Sequence, residues 1–335
     1  MDTTRFNDAR KPPPRGTATR AALAAIAAAE AAAWLVSAFG PGRAKAAAWW
    51  LLLPLSAVGI AALVAATTKA IVRLCKRRAI GGELAALIIV AAIASWPALW
   101  PLGIARVPYP ADRLRIGPSA SVRLPLDGPI RVGWGGDTVE ENYHVMVPME
   151  RWAYDLVADP ANVGSRRLED YGIFGARVVA PAGGTVAGCR GDAPDLVPGD
   201  VPGFRRLEDG LGNYVSIRLD ETETYLVIAH LKRGSVGVSP GRRIAEGDFL
   251  ALAGNSGSSS EPHVHIHHQR QDPGASLFLA EGLPLYFRDT DGPPMPTGGV
   301  AEKDGGAVAI GMTIRHIGDG KAGRDAPIVD TRSRP

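Results

Sequence analysis

Cysteine is almost absent from this chain: Cys75 and Cys189 are the only two. No CxxC pair occurs, which excludes a zinc site built from cysteines. The topology drawn below puts the two on opposite sides of a bilayer, so no disulfide within the chain is expected. Charge of one sign is lacking too. The formal net charge of +3 gives no electrostatic footprint for a nucleic acid, and no nucleic-acid partner is expected. The C-terminal part has no long amphipathic helical pattern, which argues against an α-helical domain there. A length of 335 residues leaves room for one or two domains beyond any membrane part.

Charge is also scarce in three long stretches near the N-terminus. Residues 21–42 are Ala-rich with Glu30 as their single charge, and residues 46–68 and 84–105 carry none. Each is long enough to cross a hydrocarbon core of about 30 Å as a helix, so about three transmembrane helices are expected over residues 21–105. Glu30 is costly in lipid; a helix–helix contact, snorkelling or a short helix left outside the membrane would each accommodate it. A cleavable signal peptide would still leave the two later spans in place. Residues 1–20, with Arg5, Arg10, Lys11, Arg15 and Arg20 around a Pro run, read as a disordered basic cytoplasmic tail. Lys69, Arg73, Lys76, Arg77 and Arg78 separate the second and third stretches, against only Arg43 and Lys45 between the first and second. The positive-inside rule then puts the tail and the second loop in the cytoplasm and everything after residue 105 outside. The same side results if the first stretch stays out of the membrane.

From residue 106 the composition turns to Gly, Pro and short β-rich runs. Segments starting at Ser121, Pro129, Arg177, Gly184, Asn213, Thr224 and Asp248 read as strands, separated by turns such as Pro181-Ala-Gly-Gly and Gly254-Asn-Ser-Gly. This predicts an all-β domain over 106–290, a sandwich or barrel-like sheet. Residues 189–210 read as an insertion loop. Residues 291–335 read as a mostly flexible tail, with a short strand near Ala307–Ile314.

The chemistry concentrates in Glu261-Pro-His-Val-His-Ile-His-His268, which holds four of the seven histidines. As a strand it turns His263, His265 and His267 to one face and Val264 and Ile266 to the other, toward a core. A row of imidazoles can be an ordinary surface; it can also place a metal ligand beside a proton-transfer group. Three partners are available. His144 lies in Asn142-Tyr-His-Val, where it could equally be a surface residue. Asp155 lies in the apolar run Trp152-Ala-Tyr-Asp-Leu-Val, so it is expected to be paired with a nearby Arg or bound to something else. His230 ends the strand Tyr225–His230, where a backbone carbonyl could satisfy it as a core histidine. The small loop Gly254–Glu261 is either a rim suited to an extended peptide or a solvated turn.

In order and spacing, Ala229-His230-Leu231, Gly254-Asn-Ser-Gly and Pro262-His263-Val-His265 resemble the M23 metallopeptidases, the lysostaphin-like or LytM-like peptidoglycan endopeptidases. Ala180-Pro-Ala-Gly-Gly-Thr-Val-Ala and Gly212-Asn-Tyr-Val fit the same pattern, and the resemblance covers about residues 120–290. It implies a lysostaphin-like antiparallel β-sandwich, one Zn²⁺ on His144, Asp155 and His265, and His230 and His263 as catalytic proton-transfer groups. His267 and Tyr154 are candidate groove residues; His267 reads as the exposed rim of the row and Tyr154 as a strand aromatic. No HExxH occurs. One departure stands out: the family's usual His-x-x-x-Asp has Arg151 where its histidine would fall. His144 is expected to replace that ligand from a neighbouring strand, returned by a turn near Pro148.

The resemblance implies a membrane-anchored zinc endopeptidase in a bacterial plasma (inner) membrane, with an extracytoplasmic catalytic domain that cuts peptide crosslinks of peptidoglycan. Two alternatives stay open. One is a LytM-like regulator that has lost catalysis and activates other wall hydrolases. The other is a non-haem iron oxygenase, since two histidines and a carboxylate also suit iron; the extracytoplasmic placement and the extra pair His230/His263 argue against it.

Overall fold

The computed structural model describes residues 17–200, 207–276, 278–303 and 305–318. Most of the expected N-terminal tail, residues 201–206 of the insertion and residues 319–335 of the C-terminal tail lie outside these. The chain divides into two compact units, residues 1–106 and 107–335.

Among its described residues the first unit holds three α-helices: α1 (Thr17–Phe39), α2 (Gly42–Cys75) and α3 (Gly82–Ser95). Three segments, Arg20–Phe39, Gly42–Cys75 and Gly82–Leu99, are long and apolar enough to cross a membrane. Two boundaries differ from the sequence reading. The 34 residues of α2 span about 51 Å at 1.5 Å per residue, well beyond a bilayer core. Its last turns include Lys69 and Arg73, because Lys, Arg and Ala sustain a helix in water as well as in lipid. Two residues past its end at Cys75, Arg77 turns the chain with a φ of 50°. The third helix gives way to a 3₁₀ turn at Trp96–Leu99, where Pro97 removes a helical donor and Pro101 disfavours continuation. Glu30 neither snorkels nor stands in solvent. It is 6% exposed and accepts a hydrogen bond from Trp34 Nε1 at 3.2 Å, beside the mutually packed rings of Trp34, Trp49, Trp96 and Trp100.

The second unit is β-rich, with no α-helix among its described residues. Its strands are β1 (Ala120–Val122), β2 (Ile130–Trp134), β3 (Tyr154–Val157), β4 (Arg177–Val179), β5 (Gly184–Arg190), β6 (Asn213–Leu219) and β7 (Tyr225–Leu231). They continue as β8 (Arg243–Ile244), β9 (Phe249–Leu252), β10 (Val264–Gln269), β11 (Leu285–Phe287), β12 (Val300–Lys303), β13 (Gly306–Ala309) and β14 (Thr313–Ile314). Eight form one sheet in the order β14-β2-β3-β10-β7-β6-β5-β8, antiparallel at every step. The ladders β4–β9 and β1–β11 give Val178, Leu250, Ala251, Val122, Leu285 and Phe287 to the same apolar core as Val132, Leu156, Ile217, Ile228 and Ile266 of the large sheet. Each such Leu, Ile or Phe stabilises by about 1.5–3 kcal/mol relative to exposure, and together they make one face of the sheet rigid.

The segment after residue 290 is not a loose tail over its described part. Thr313 and Ile314 pair with Arg131 and Ile130 at the sheet edge, Ile314 is buried in the core, and β12–β13 form a hairpin. Its Gly and Pro content marks turns between short strands rather than the absence of structure.

Candidate metal centre

Strands β3, β10 and β7 lie side by side at the middle of the large sheet. The register sets His265 opposite Asp155 on one side and opposite Ala229 on the other. Alternation does the rest. Val264, Ile266, Tyr154, Leu156, Leu226 and Ile228 enter the core, so Asp155, His265 and His267 share the opposite face. His230 would by alternation follow Leu226 and Ile228 into the core. Instead its φ is 61°, a left-handed conformation costly for a residue with a Cβ. This breaks the alternation: Leu231 returns to the core, while the His230 ring sits 4.6 Å from that of His263 and 5.7 Å from that of His265. His263 precedes β10 by one residue.

Around Asp155 Oδ1 stand His265 Nδ1 at 2.9 Å, His144 Nε2 at 3.5 Å and His263 Nε2 at 3.6 Å. The far nitrogens fix which of these atoms are bare. His144 Nδ1 meets Asn142 Oδ1 at 2.9 Å; because Asn142 Nδ2 donates to the carbonyls of Gly136 and Ala153, the atom facing His144 is the amide oxygen. His263 Nδ1 lies 2.8 Å from the Glu261 carbonyl, and His230 Nδ1 lies 2.8 Å from the Ser256 carbonyl. An oxygen that only accepts requires a proton on the nitrogen. Each neutral ring therefore keeps a bare Nε2, which in His144 and His263 faces the Asp155 carboxylate.

Burial drives the His144 pKa down to about 3, and burial followed by the neighbouring imidazoles holds His230 well below the usual range. His265 goes the other way. Burial opposes its charge, but the hydrogen bond to Asp155 and the carboxylates of Glu150 and Asp155 raise it. Burial pushes the Asp155 carboxyl up, but the charge its imidazole neighbours carry when protonated, with the hydrogen bond from His265, holds it well below the ordinary range. Lone pairs thus converge on one point and repel unless a cation or proton lies among them. His144, Asp155 and His265 form a group whose ligand atoms lie within 4.8 Å of one another. Two imidazoles and a carboxylate suit zinc with one position left open, so the residues fit the ion that the motif resemblance implies.

The five residues expected to carry the chemistry, His144, Asp155, His230, His263 and His265, are brought together. Their supports differ from expectation. His144 sits on a 3₁₀ turn, Tyr143–Met146, not on a strand, and a second turn at Pro148–Glu150 returns the chain to β3. Arg151 is turned away. It is 5% exposed, pairs with Asp137 at 3.0 Å and donates to the Tyr109 carbonyl. Tyr154 is not a groove residue: it is buried in the core against Phe287, as the alternation that exposes Asp155 demands. Nor is His267 an exposed rim. It is 2% exposed and lies between His265 and Gln269. His268 does face the other way, toward Thr224 and Pro284. The sequence reading missed Asn142, Glu150 and Gln269. Gln269 carries a legible signal, since it continues the alternating row; Asn142 and Glu150 carry none without the fold.

Asp155 and His263 open onto a cleft of about 580 Å³, also lined by Tyr143, Asn162, Pro198, Gly199, Ser258 and Ser260. The loop before His263 is no solvated turn. Asn255, Ser256 and Ser259 are buried, and the described part of the insertion is pinned to it through Asp195, Leu196 and Gly199. Hairpin β12–β13 contributes Val300, Gly306 and Ala309 to the cleft.

Residues 170–275 match the model of peptidase family M23. Among solved structures, a zinc-containing peptidase from Vibrio cholerae is similar at 20% identity, covering 44% of this chain and 36% of that one, with a TM-score of 0.30. A putative M23 peptidase from Pseudomonas aeruginosa matches at 16% identity over 46% of this chain and 48% of that one, with a TM-score of 0.25. The catalytic domain of lysostaphin from Staphylococcus simulans matches at 16% identity over 44% of this chain and 90% of that one, with a TM-score of 0.26. The chain thus spans less than half of the Vibrio and Pseudomonas chains. The matched segment includes His230, His263 and His265 and stops short of His144 and Asp155, which the fold adds to the cluster. Over residues 170–275 the chain carries the pattern of peptidase family M23.

Proposed function

We propose that this chain is a membrane-anchored zinc metalloendopeptidase that cleaves peptide crosslinks of bacterial peptidoglycan. The observation that carries the reading is the convergence of the bare Nε2 atoms of His144 and His263, and of His265 Nδ1, on the Asp155 carboxylate beside an open cleft. In this reading His144 Nε2, Asp155 and His265 Nδ1 hold the metal. When bound, zinc supplies a water of lowered pKa and polarises the scissile carbonyl. His263, its Nδ1–H held by the Glu261 carbonyl, presents Nε2 to take a proton from the attacking water and pass it to the leaving amine. His230, its Nδ1–H held by the Ser256 carbonyl, offers Nε2 as a second proton carrier; once protonated it stabilises the negative charge on the tetrahedral oxygen. The small residues of the cleft wall admit an extended peptide.

The three apolar helices anchor the domain. Lys76, Arg77 and Arg78 lie in the connection between α2 and α3, whereas only Gly40 and Pro41 join α1 to α2. This supports an inward-facing second connection and an extracytoplasmic β-domain.

The test is amine release from isolated peptidoglycan by the zinc-loaded full-length chain in detergent, against His263→Ala, with metal content measured alongside. Release by the parent alone supports the peptidase, and fragment masses name the bond. Neither release nor bound zinc would favour the regulator, and iron as the co-purifying metal would favour the oxygenase.

A further inference from the structure

The row His265–His267–Gln269 continues past the atoms that the proposed chemistry uses. His265 Nε2 meets His267 Nδ1 at 2.9 Å, His267 Nε2 meets Gln269 Oε1 at 3.0 Å, and Gln269 Nε2 meets the Gln271 carbonyl at 2.6 Å. His265, His267 and Gln269 are all buried, so water does not complete their hydrogen bonds.

The far end of this row is a fixed point. A backbone carbonyl only accepts, so the Gln269 atom facing Gln271 is the NH₂ group, and its oxygen faces His267. His267 Nε2 then bears a proton. In a neutral ring His267 Nδ1 is an acceptor, so its partner, His265 Nε2, must donate. That leaves Nδ1, which faces Asp155 Oδ1 at 2.9 Å, as the His265 atom open to a metal. We infer that His267 and Gln269 are positioning residues: anchored on the Gln271 carbonyl, they fix the proton of His265 on Nε2 and so select Nδ1 as its metal-binding atom.

A ligand imidazole commonly donates its other N–H to an oxygen, which fixes its tautomer and orientation. Here the acceptor is a second imidazole, itself set by a glutamine. The same bookkeeping decides the neighbouring group Glu150–His265–His267, whose ligand atoms also lie within 4.8 Å of one another. With Nε2 protonated, His265 offers that group no lone pair, so one metal ion per chain is expected there rather than two bridged by His265.

This inference rests on the proposed metal centre, but its first test does not need metal. In the ¹⁵N-histidine-labelled full-length chain in detergent, long-range ¹H–¹⁵N correlations should show protons on His265 Nε2 and His267 Nε2 and a bare His267 Nδ1. A bare His265 Nε2, or a proton on His267 Nδ1, would overturn the inference even in a chain that binds no zinc. The second test is zinc affinity by chelator competition. His267→Leu leaves His265 Nε2–H unpaired and should weaken binding roughly 10–100-fold. His267→Gln keeps an oxygen for His265 and an NH₂ for Gln269, and should restore parental affinity. Parental affinity in His267→Leu, no rescue by His267→Gln, or two zinc ions per parental chain would each count against it. Should His267→Leu fail to fold, the parental proton positions still decide.

Discussion

Removing the His144 imidazole tests where this chain departs from the His-x-x-x-Asp pattern. The residue is buried, its Nδ1 is tied to Asn142 at 2.9 Å, and its Nε2 lies 3.5 Å from Asp155. Structural zinc sites with four protein ligands bind with about 10–16 kcal/mol, or about 2.5–4 kcal/mol per ligand. At about 1.4 kcal/mol per decade, His144→Ala should weaken zinc binding by roughly two to three orders of magnitude. The contrasting variant is Arg151→Met. Arg151 faces Asp137 and the Tyr109 carbonyl, so its loss should cost about 1–3 kcal/mol of stability through unpaired polar groups and leave zinc affinity unchanged. The assay is competition with a fluorescent zinc chelator on the full-length chain in detergent, with thermal unfolding of each variant as a control. The reasoning fails if His144→Ala binds zinc like the parent, or if Arg151→Met is the variant that loses it.

Other outcomes follow from the same geometry. His230→Ala and His263→Ala should each keep the zinc and lose about 10²–10⁴-fold in kcat/KM on wall peptide; loss of the metal in either variant would make that residue a ligand instead. His268, buried between Thr224 and Pro284, has its pKa lowered by burial to about 4, below the usual value of about 6.5. From about pH 6.5 down to about 4 the unfolded chain takes up a proton there that the native domain does not, so stability falls with falling pH at up to about 1.4 kcal/mol per unit. His268→Gln should flatten that part of the unfolding profile, and an unchanged slope would show that His268 is not the cause. Gly212 has a φ of 61°, and a Cβ there would lie 2.4 Å from the Ser256 backbone. Gly212→Ala should cost about 1–3 kcal/mol and, by displacing the carbonyl that holds His230, also lower kcat; denaturant unfolding beside activity measures both.

The three apolar stretches were legible because hydropathy is additive along a chain: a long run without charge is apolar in any fold. The period-2 pattern at Val264–His267 was legible too, since alternation alone places Val264 and Ile266 in a core and His265 on the opposite face. Applied to Tyr154-Asp155-Leu156, the same rule puts the carboxylate on one face and the tyrosine on the other, so Tyr154 as a groove residue was contrary to the pattern already present. Helix ends were less legible, because Lys69 and Arg73 mark the edge of an apolar run, not the end of a helix. Tertiary structure alone decided that His230 leaves the alternation, since its left-handed backbone is held by the strands and loop around it rather than by its own preference. It also decided that His144 reaches Asp155 from a 3₁₀ turn while Arg151 turns to Asp137, and that residues 313–314 close the sheet edge. Local sequence sets propensity and facing, but the meeting of residues separated by many positions depends on register and loop path, which the core fixes.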